Sequence, residues 1–221
     1  MIVMKSMTPT HSGLRLIQFA KAPQAGRVKT RLIPDIGAAA ASRLHLRLVR
    51  EVLRILCDSD LAPVALHSDD CDSEEMIALA DDFSVPLQRQ RGDNLGQRMY
   101  SSIEQTLAIE GVDAVLLLGS DCLQINRDYL DLAVRSLQSG SDVVIGPARD
   151  GGYVLIAMCR AHESVFSDIP WGSERVLSET LQAAAVSQLS VSLLPTLSDI
   201  DRAEDLPLLA ERGIALPALL E

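Results

Sequence analysis

The chain of 221 residues is short of lysine, of aromatic side chains and of paired cysteines. Its four cysteines form no C-x-x-C motif and its four histidines are equally scattered, so the sequence predicts neither a disulfide framework nor a zinc site. No apolar run approaches the roughly 18 residues of a membrane-spanning helix, and residues 1–12 lack the apolar centre of a secretion signal. We therefore expect a reduced, cytoplasmic protein without a membrane partner.

Negative charge dominates the composition, with 30 acidic against 20 basic residues and a formal net charge of -10. Binding to nucleic acid needs a basic face that meets many phosphates, so no nucleic-acid partner is expected. The length and the 48% hydrophobic content predict one domain with one substantial core. We place that domain at residues 14–221, after a flexible N-terminal extension of residues 1–13.

The few lysines have an uneven distribution: all three lie within the first 29 residues, and no acidic residue precedes Asp35. The segment 21–31 is therefore a cationic loop in an acidic protein, which indicates a site for phosphate. A solvated basic loop is the alternative. No Walker motif and no G-x-G-x-x-G occurs. The candidate phosphate ligands, with the glycine that lets the backbone turn, are Lys21, Gly26, Arg27, Lys29 and Arg31.

Short apolar runs of strand length alternate with longer segments of helical period, which is typical of an α/β fold with helices packed on a mostly parallel sheet. The acidic segment 69–82 lacks the spacing of a calcium loop and predicts a solvated loop with a short helix. Strands are predicted at residues 14–20, 62–67, 112–118, 142–146, 153–158 and 191–194. Helices are predicted at residues 36–57, 95–109, 127–138 and 174–186, and after Asp201.

Acidic residues follow two of the predicted strands, at the edge where α/β sheets gather their ligands. Asp121 comes just after the strand at 112–118, and Asp199 and Asp201 come after the strand at 191–194. Such carboxylates suit Mg²⁺ or Mn²⁺ held against a diphosphate. The alternative is that Asp121 caps a turn and Asp201 caps the last helix.

A second group of candidates lies between the strands at 142–146 and 153–158. Asp150 precedes Gly151 and Gly152, which favours a tight turn and also permits close approach of a substrate. The single tryptophan, Trp171, either stacks on a sugar or fills the core, and a core position is the expectation for a lone large aromatic. No nucleophile with an adjacent base is present in a known motif.

Five motifs, in order, carry a resemblance that spans residues 14–209: FAKAPQAGRVKTRL, LLLGSDC, IGPARDGGYVLI, IPWGSERVL and SDIDRAEDL. Together they resemble a family of small GT-A-type glycosyltransferases in the nucleotide-diphospho-sugar transferase superfamily, some of whose members are linked to arsenosugar biosynthesis. Molybdenum-cofactor and phospholactate nucleotidylyltransferases are related. The resemblance implies the nucleotide-diphospho-sugar transferase fold, with a mixed, mostly parallel sheet and helices on both faces.

The same resemblance implies roles for individual residues. Asp121 matches the metal-holding acid, and Asp199 and Asp201 match the late acidic motif that completes a Mg²⁺ or Mn²⁺ site. Lys21, Lys29 and Arg31 match the phosphate-binding loop. The segment around Asp121 is Ser-Asp-Cys, however, where many glycosyltransferases have D-x-D.

Three functions remain open on the sequence. The first is glycosyl transfer from a nucleotide diphosphate-sugar to a small-molecule acceptor, with Asp121 and Asp150 as the catalytic residues: Asp121 holds the metal ion and Asp150 is the acceptor-side base. The second is nucleotidyl transfer from an NTP to a phosphorylated small molecule, with release of pyrophosphate. The third is a nucleotide-binding module without catalysis, which the incomplete D-x-D motif suggests.

Overall fold

The computed structural model describes residues 13–214, except for the side chains of residues 211 and 212. Within this range the chain forms one mixed α/β unit around a single sheet. The proposed N-terminal extension lies outside the described residues apart from Gly13, so its boundary stays a prediction. None of the helices in the described range is both long enough and apolar enough to cross a bilayer.

The sheet has seven strands in the order β3-β2-β1-β4-β6-β5-β7. Strand β6 runs antiparallel to its neighbours β4 and β5, and the other pairs are parallel, so the predicted mixed, mostly parallel sheet is confirmed. The strands are β1 (Leu14–Ala20), β2 (Val64–Ser68), β3 (Leu87–Arg89), β4 (Ala114–Leu118), β5 (Val143–Pro147), β6 (Tyr153–Met158) and β7 (Val191–Leu193). Strand β3 was not predicted, because three residues carry no usable alternation.

The helices follow the predicted positions with two corrections. Gly37, at φ 80°, separates a short first helix from the long second one, so the predicted continuous helix is divided. The last predicted helix is a 3-10 segment, Ala203–Arg212, in which Pro207 lacks the N–H that an α-helix would use. The α-helices are α1 (Ile33–Ile36), α2 (Ala38–Asp58), α3 (Glu74–Phe83), α4 (Leu95–Leu107), α5 (Arg127–Gln138) and α6 (Val176–Val186).

Helices cover both faces of the sheet, and each face has its own apolar core. Helices α2, α3 and α5 supply one core, whereas α4 and α6 supply the other. Successive strand residues point to opposite faces, so Leu16 joins the first core and Ile17 the second. Coverage on both faces explains why all five residues of β4 are buried and apolar.

The topology brings distant acidic and basic segments to one edge. Strands β1 and β4 are parallel neighbours, with Gln18 paired to Leu118, so the loop after β1 and Asp121 emerge side by side. The N–H of Ile200 donates to the carbonyl oxygen of Asp121 at 3.0 Å. This bond fixes the segment with Asp199 and Asp201 against the end of β4.

Candidate active site

A cleft of about 720 Å³ opens at the carboxyl ends of the central strands. Every charged side chain that the sequence proposes for the site lines this cleft, as does Gly152, whereas Gly26 and Gly151 do not. The charged residues are Lys21, Arg27, Lys29, Arg31, Asp121, Asp150, Asp199 and Asp201. Segments far apart in the chain therefore form one polar pocket.

Lys29 is the centre of the charge cluster. It has a left-handed backbone with φ 46°, which turns its side chain inward, where only 4% of it is exposed. Its ammonium Nζ lies 2.7 Å from Oδ2 of Asp121 and 3.7 Å from Oδ1 of Asp201. Burial disfavours the charged form, but the charges of Asp121, Asp201 and Asp199 outweigh it and raise the pKa of Lys29.

The two carboxylates of this cluster are held by cations. Burial opposes ionisation of Asp121, yet the charge and hydrogen bond of Lys29 prevail and lower its pKa. Asp201 receives a second ion pair from Arg31, at 2.6 Å. The side chain of Asp201 does not cap the last helical segment. Oδ2 of Asp205 instead accepts the N–H groups of Asp201 and Arg202, where that segment begins. The carboxylate of Asp201 lines the cleft.

Asp199 is in a different situation. No ion pair among the described residues includes it or Asp150. Burial, followed by the nearby charges of Asp121 and Asp150, raises the pKa of Asp199 to about 6. The pKa of Asp199 is thus shifted in the opposite direction to that of Asp121.

Within residues 13–214, no three His, Cys, Asp or Glu side chains are arranged to hold a metal ion. Asp121 and Asp201 do converge, but on the ammonium of Lys29. Because Mg²⁺ commonly uses one or two carboxylates together with substrate phosphates, this donor set fits an ion that arrives with a diphosphate.

Two further cations of the loop are open to solvent. Lys21 and Arg27 are exposed and line the cleft, and neither has an ion pair in the described part of the chain. The Nε2 N–H of His45 donates to the carbonyl oxygen of Lys21 at 2.9 Å and so fixes the start of the loop. Gly26 supplies the turn with φ 83°.

The Asp150 segment is a turn that also borders the cleft. Oδ1 of Asp150 accepts the N–H of Gly152 at 2.9 Å. Gly151 has φ 89°, and a Cβ there would lie 2.1 Å from the carbonyl oxygen of Glu174. The turn is therefore braced against the start of α6, and one carboxylate oxygen of Asp150 has no hydrogen bond in the described structure.

Several polar residues that line the cleft were not predicted from the sequence, among them His45, Gln90 and Arg98. The Nε2 group of Gln90 donates to the carbonyl oxygens of Ala20 and His67 at 3.0 and 2.9 Å, which ties together the ends of β1 and β2. Gln90 directly follows β3, so a prediction of that strand would have pointed to this residue. His45 could have been found as a polar residue on the apolar face of α2.

Known structures with the same architecture define the class of this protein. A protein from Desulfovibrio desulfuricans G20, provisionally described as a nucleotide-diphospho-sugar transferase, is 30% identical; the match covers 95% of this chain and 94% of that one, with a TM-score of 0.81. The fold is that of nucleotide-diphospho-sugar transferases. The chain belongs to the family described as "uncharacterized protein conserved in bacteria (DUF2064)", whose model matches residues 52–173.

More distant structures share the fold. CMP:2-keto-3-deoxy-manno-octonic acid synthetase, complexed with CTP, has a TM-score of 0.59 at 13% identity, over 94% of this chain and 99% of that one. Glucosyl-3-phosphoglycerate synthase from Mycobacterium tuberculosis, in complex with Mn²⁺, UDP and glucosyl-3-phosphoglycerate, has a TM-score of 0.53 at 14% identity, over 95% and 78%. The comparison with curated proteins finds no match to this chain. The fold thus occurs in both nucleotidyl and glycosyl transferases.

Proposed function

We propose that this protein is a metal-dependent glycosyltransferase that uses a nucleotide diphosphate-sugar donor and a small-molecule acceptor. One observation carries the proposal: two cations and two carboxylates that line the cleft form a single cluster, namely Lys29, Arg31, Asp121 and Asp201. The cations match a diphosphate and the carboxylates match its counterion.

The cationic residues would neutralise the leaving group. In the transfer, the acceptor hydroxyl oxygen bonds to the anomeric carbon of the sugar, and the bond from that carbon to the β-phosphate oxygen breaks. The electron pair leaves with the nucleoside diphosphate, whose charge Lys29 and Arg31 would stabilise. Lys21 and Arg27, which also line the cleft, would add to this stabilisation. Such fixed charge is the main source of rate enhancement in this chemistry.

The carboxylates of Asp121 and Asp201, with Asp199 beside them, are the proposed ligands of Mg²⁺ or Mn²⁺. A bound ion would add positive charge next to the departing diphosphate. Lys29 contacts the same two carboxylates, so it would share them with a bound ion or give one of them up to it.

The acceptor side is assigned to Asp150. Its carboxylate lines the cleft, and its free oxygen can accept the proton of the acceptor hydroxyl. The turn that carries it is held by the backbone contact of Gly151 with Glu174. A base on a braced turn keeps its direction during the reaction.

Nucleotidyl transfer is the second candidate. The observation in its favour is that Lys21 and Arg27 are exposed and unpaired within residues 13–214, so they could receive a pyrophosphate above the Lys29 cluster. In that reaction a phosphate oxygen of the acceptor attacks the α-phosphorus of an NTP, and pyrophosphate leaves. The same cleft accommodates both reactions, and their products differ.

The test is an analysis of products. The purified protein is incubated with Mg²⁺ or Mn²⁺ and either NDP-sugars or NTPs, each with a panel of small hydroxylated and phosphorylated acceptors. Free nucleoside diphosphate with a glycosylated acceptor supports the proposal, whereas pyrophosphate with a nucleotidylated acceptor supports the second candidate. Binding of nucleotide with neither product would leave only a binding module.

Asp121→Asn is the decisive variant for that assay. It keeps the size of the side chain but removes the charge that Lys29 and the ion share, so we expect turnover to fall by about 10²-fold or more. The matched control is Asp128→Asn, which changes an exposed aspartate in the first turn of α5, away from the cleft. Full activity of the Asp121 variant would overturn the proposal.

A further inference from the structure

The cationic loop is attached to the rest of the fold at its two ends. At its far end, Val28 and Lys29 are buried, with 3% and 8% of their surface exposed. The middle of the loop, residues 24–27, is exposed, and a Cβ on Gly26 would have no atom within 4 Å. The position of Lys21, which lines the cleft at the start of the loop, therefore depends on how that start is held.

Two side chains of α2 hold the start of the loop. The hydroxyl of Ser42 donates to the carbonyl oxygen of Pro23 at 2.6 Å. The imidazole Nε2 of His45 donates to the carbonyl oxygen of Lys21 at 2.9 Å. Residues three apart on a helix lie on the same face, so one face of α2 presents both donors to the loop.

His45 lies where packing alone would favour an apolar side chain. Its neighbours on the same face of α2 are Ala41, Leu48 and Val49, which are all buried, and His45 itself is only 5% exposed. A leucine would serve the core at this position. The polar ring is therefore explained by its hydrogen bond to the loop and not by packing.

The bond also defines the state of the ring. A carbonyl oxygen can only accept, so the proton of the neutral imidazole is on Nε2. Burial lowers the pKa of His45, in opposition to its hydrogen bond with Lys21, and the charge of Lys29 adds to the decrease. The ring thus supplies a donor to the loop without adding a charge to the cleft.

We propose that His45, assisted by Ser42, is a positioning residue: it holds the carbonyl oxygen of Lys21 so that the ammonium group of this lysine meets the donor's diphosphate without reorganisation. The inference rests on the proposed function, because the ligand of the loop is that diphosphate. A loop that is already ordered avoids the entropy cost of ordering on binding, which would otherwise lower the affinity. His45 acts on the ligand through Lys21.

Affinity for a nucleoside diphosphate tests the proposal. Calorimetry first identifies which of ADP, CDP, GDP, UDP and dTDP binds the wild-type protein with Mn²⁺, and that diphosphate is the probe. His45→Leu should bind the probe about three- to tenfold more weakly, which corresponds to the net contribution of one hydrogen bond. His45→Gln should recover most of the affinity, because its amide Nε2 can donate in place of the imidazole. Urea denaturation checks that each variant is folded.

A double-mutant cycle with Lys21 distinguishes positioning from a general effect on the fold. Lys21→Met removes the ammonium and should weaken binding of the probe about tenfold. In that background His45→Leu should lower the affinity by less than about twofold, because the side chain that His45 positions is already gone. Losses that multiply in the double variant would overturn the proposal. So would a His45→Leu protein that binds like wild type, or a His45→Gln protein that binds no better than His45→Leu.

Ser42→Ala keeps the proposal falsifiable if His45→Leu does not fold. Ser42 is half-buried, and alanine is the best helix former at such a position. The variant loses the bond to Pro23, so the affinity for the probe should fall about threefold, and an unchanged affinity would overturn the proposal. The bond from the N–H of Ala22 to Oδ1 of Asp69, at 2.7 Å, is kept in every variant.

The wild-type protein separates this inference from the proposed function. If a diphosphate binds and the variants behave like wild type, the positioning role is overturned while the proposed function stands. If no diphosphate binds the wild-type protein, the proposed function is overturned, and the positioning role with it.

Discussion

The charged residues of the cleft fall into a paired group and an unpaired group. In the paired group, Lys29 and Arg31 pair with Asp121 and Asp201 at distances of 2.6 to 3.7 Å. In the unpaired group, Asp150 and Asp199 have no ion pair in the described chain, and the pKa of Asp199 is raised to about 6 by burial and by its acidic neighbours. The paired group is preformed, whereas the unpaired carboxyl groups have no cation of the described chain as a partner.

Removal of the ammonium should produce the largest change. Lys29→Met leaves Asp121 and Asp201 facing each other without the cation between them, so we expect a loss of about 3 kcal/mol in the free energy of unfolding. Urea denaturation measures it. Lys21→Met is the control, because that lysine is exposed and unpaired within residues 13–214, and it should change stability by less than about 0.5 kcal/mol. Equal losses of stability in the two variants would contradict the pairing of Lys29 with Asp121 and Asp201.

The glycine turns beside the two groups should also differ in how well they tolerate a side chain. Gly151→Ala places a Cβ 2.1 Å from the carbonyl oxygen of Glu174 in addition to its positive φ, so a loss of at least about 2 kcal/mol is expected. Gly26→Ala has a similar φ with nothing within 4 Å, and should cost about 1 kcal/mol. Thermal unfolding ranks the two, and the reverse order would contradict the braced turn.

The unpaired group predicts that the stability of the protein depends on pH. The pKa of Asp199 is higher in the folded chain than its usual value, so the stability that the protonated carboxyl provides is complete below about pH 4. It is lost as the pH rises through about 6. We expect the free energy of unfolding of Asp199→Asn, measured relative to that of wild type, to rise by about 2 kcal/mol between about pH 4 and about pH 7. Parallel stability curves would contradict the assignment.

The exposed ion pair should matter least. Arg31 is 44% exposed and its partner Asp201 is 25% exposed, so Arg31→Ala should lower the free energy of unfolding by at most about 1 kcal/mol. High salt should reduce the stability difference between Arg31→Ala and wild type, because dissolved ions screen the attraction between Arg31 and Asp201. Urea denaturation at low and high salt measures it, and a salt-independent loss would indicate a packing role instead.

Much of the fold could be predicted from the sequence because its strongest patterns are local. The apolar run of β4 and the helical stripe of α2 each appear within one segment, and both elements are present. Strand β3 was missed because its three residues depend on pairing with β2 for their conformation. The division at Gly37 was missed because alanine-rich composition outweighed one glycine.

For the candidate site, the sequence indicates the charged residues that line the cleft but not how they pair. The acidic and basic segments stand out along the chain, yet the contact of Lys29 with Asp121 joins residues 92 positions apart and depends on strand order. His45 escaped notice because it lies among apolar residues of α2, where its role is to hold the carbonyl oxygen of Lys21. Such contacts follow from topology, which composition does not specify.

The most direct test of the central claim is the linkage between a divalent ion and a nucleoside diphosphate in the wild-type protein. Calorimetric titration of the diphosphate, with and without Mn²⁺, should show that Mn²⁺ raises its affinity about tenfold or more. In Asp121→Asn that increase should disappear. An affinity that Mn²⁺ leaves unchanged, or an equal increase in both proteins, would contradict a site in which Asp121 and the cationic loop bind one ligand together.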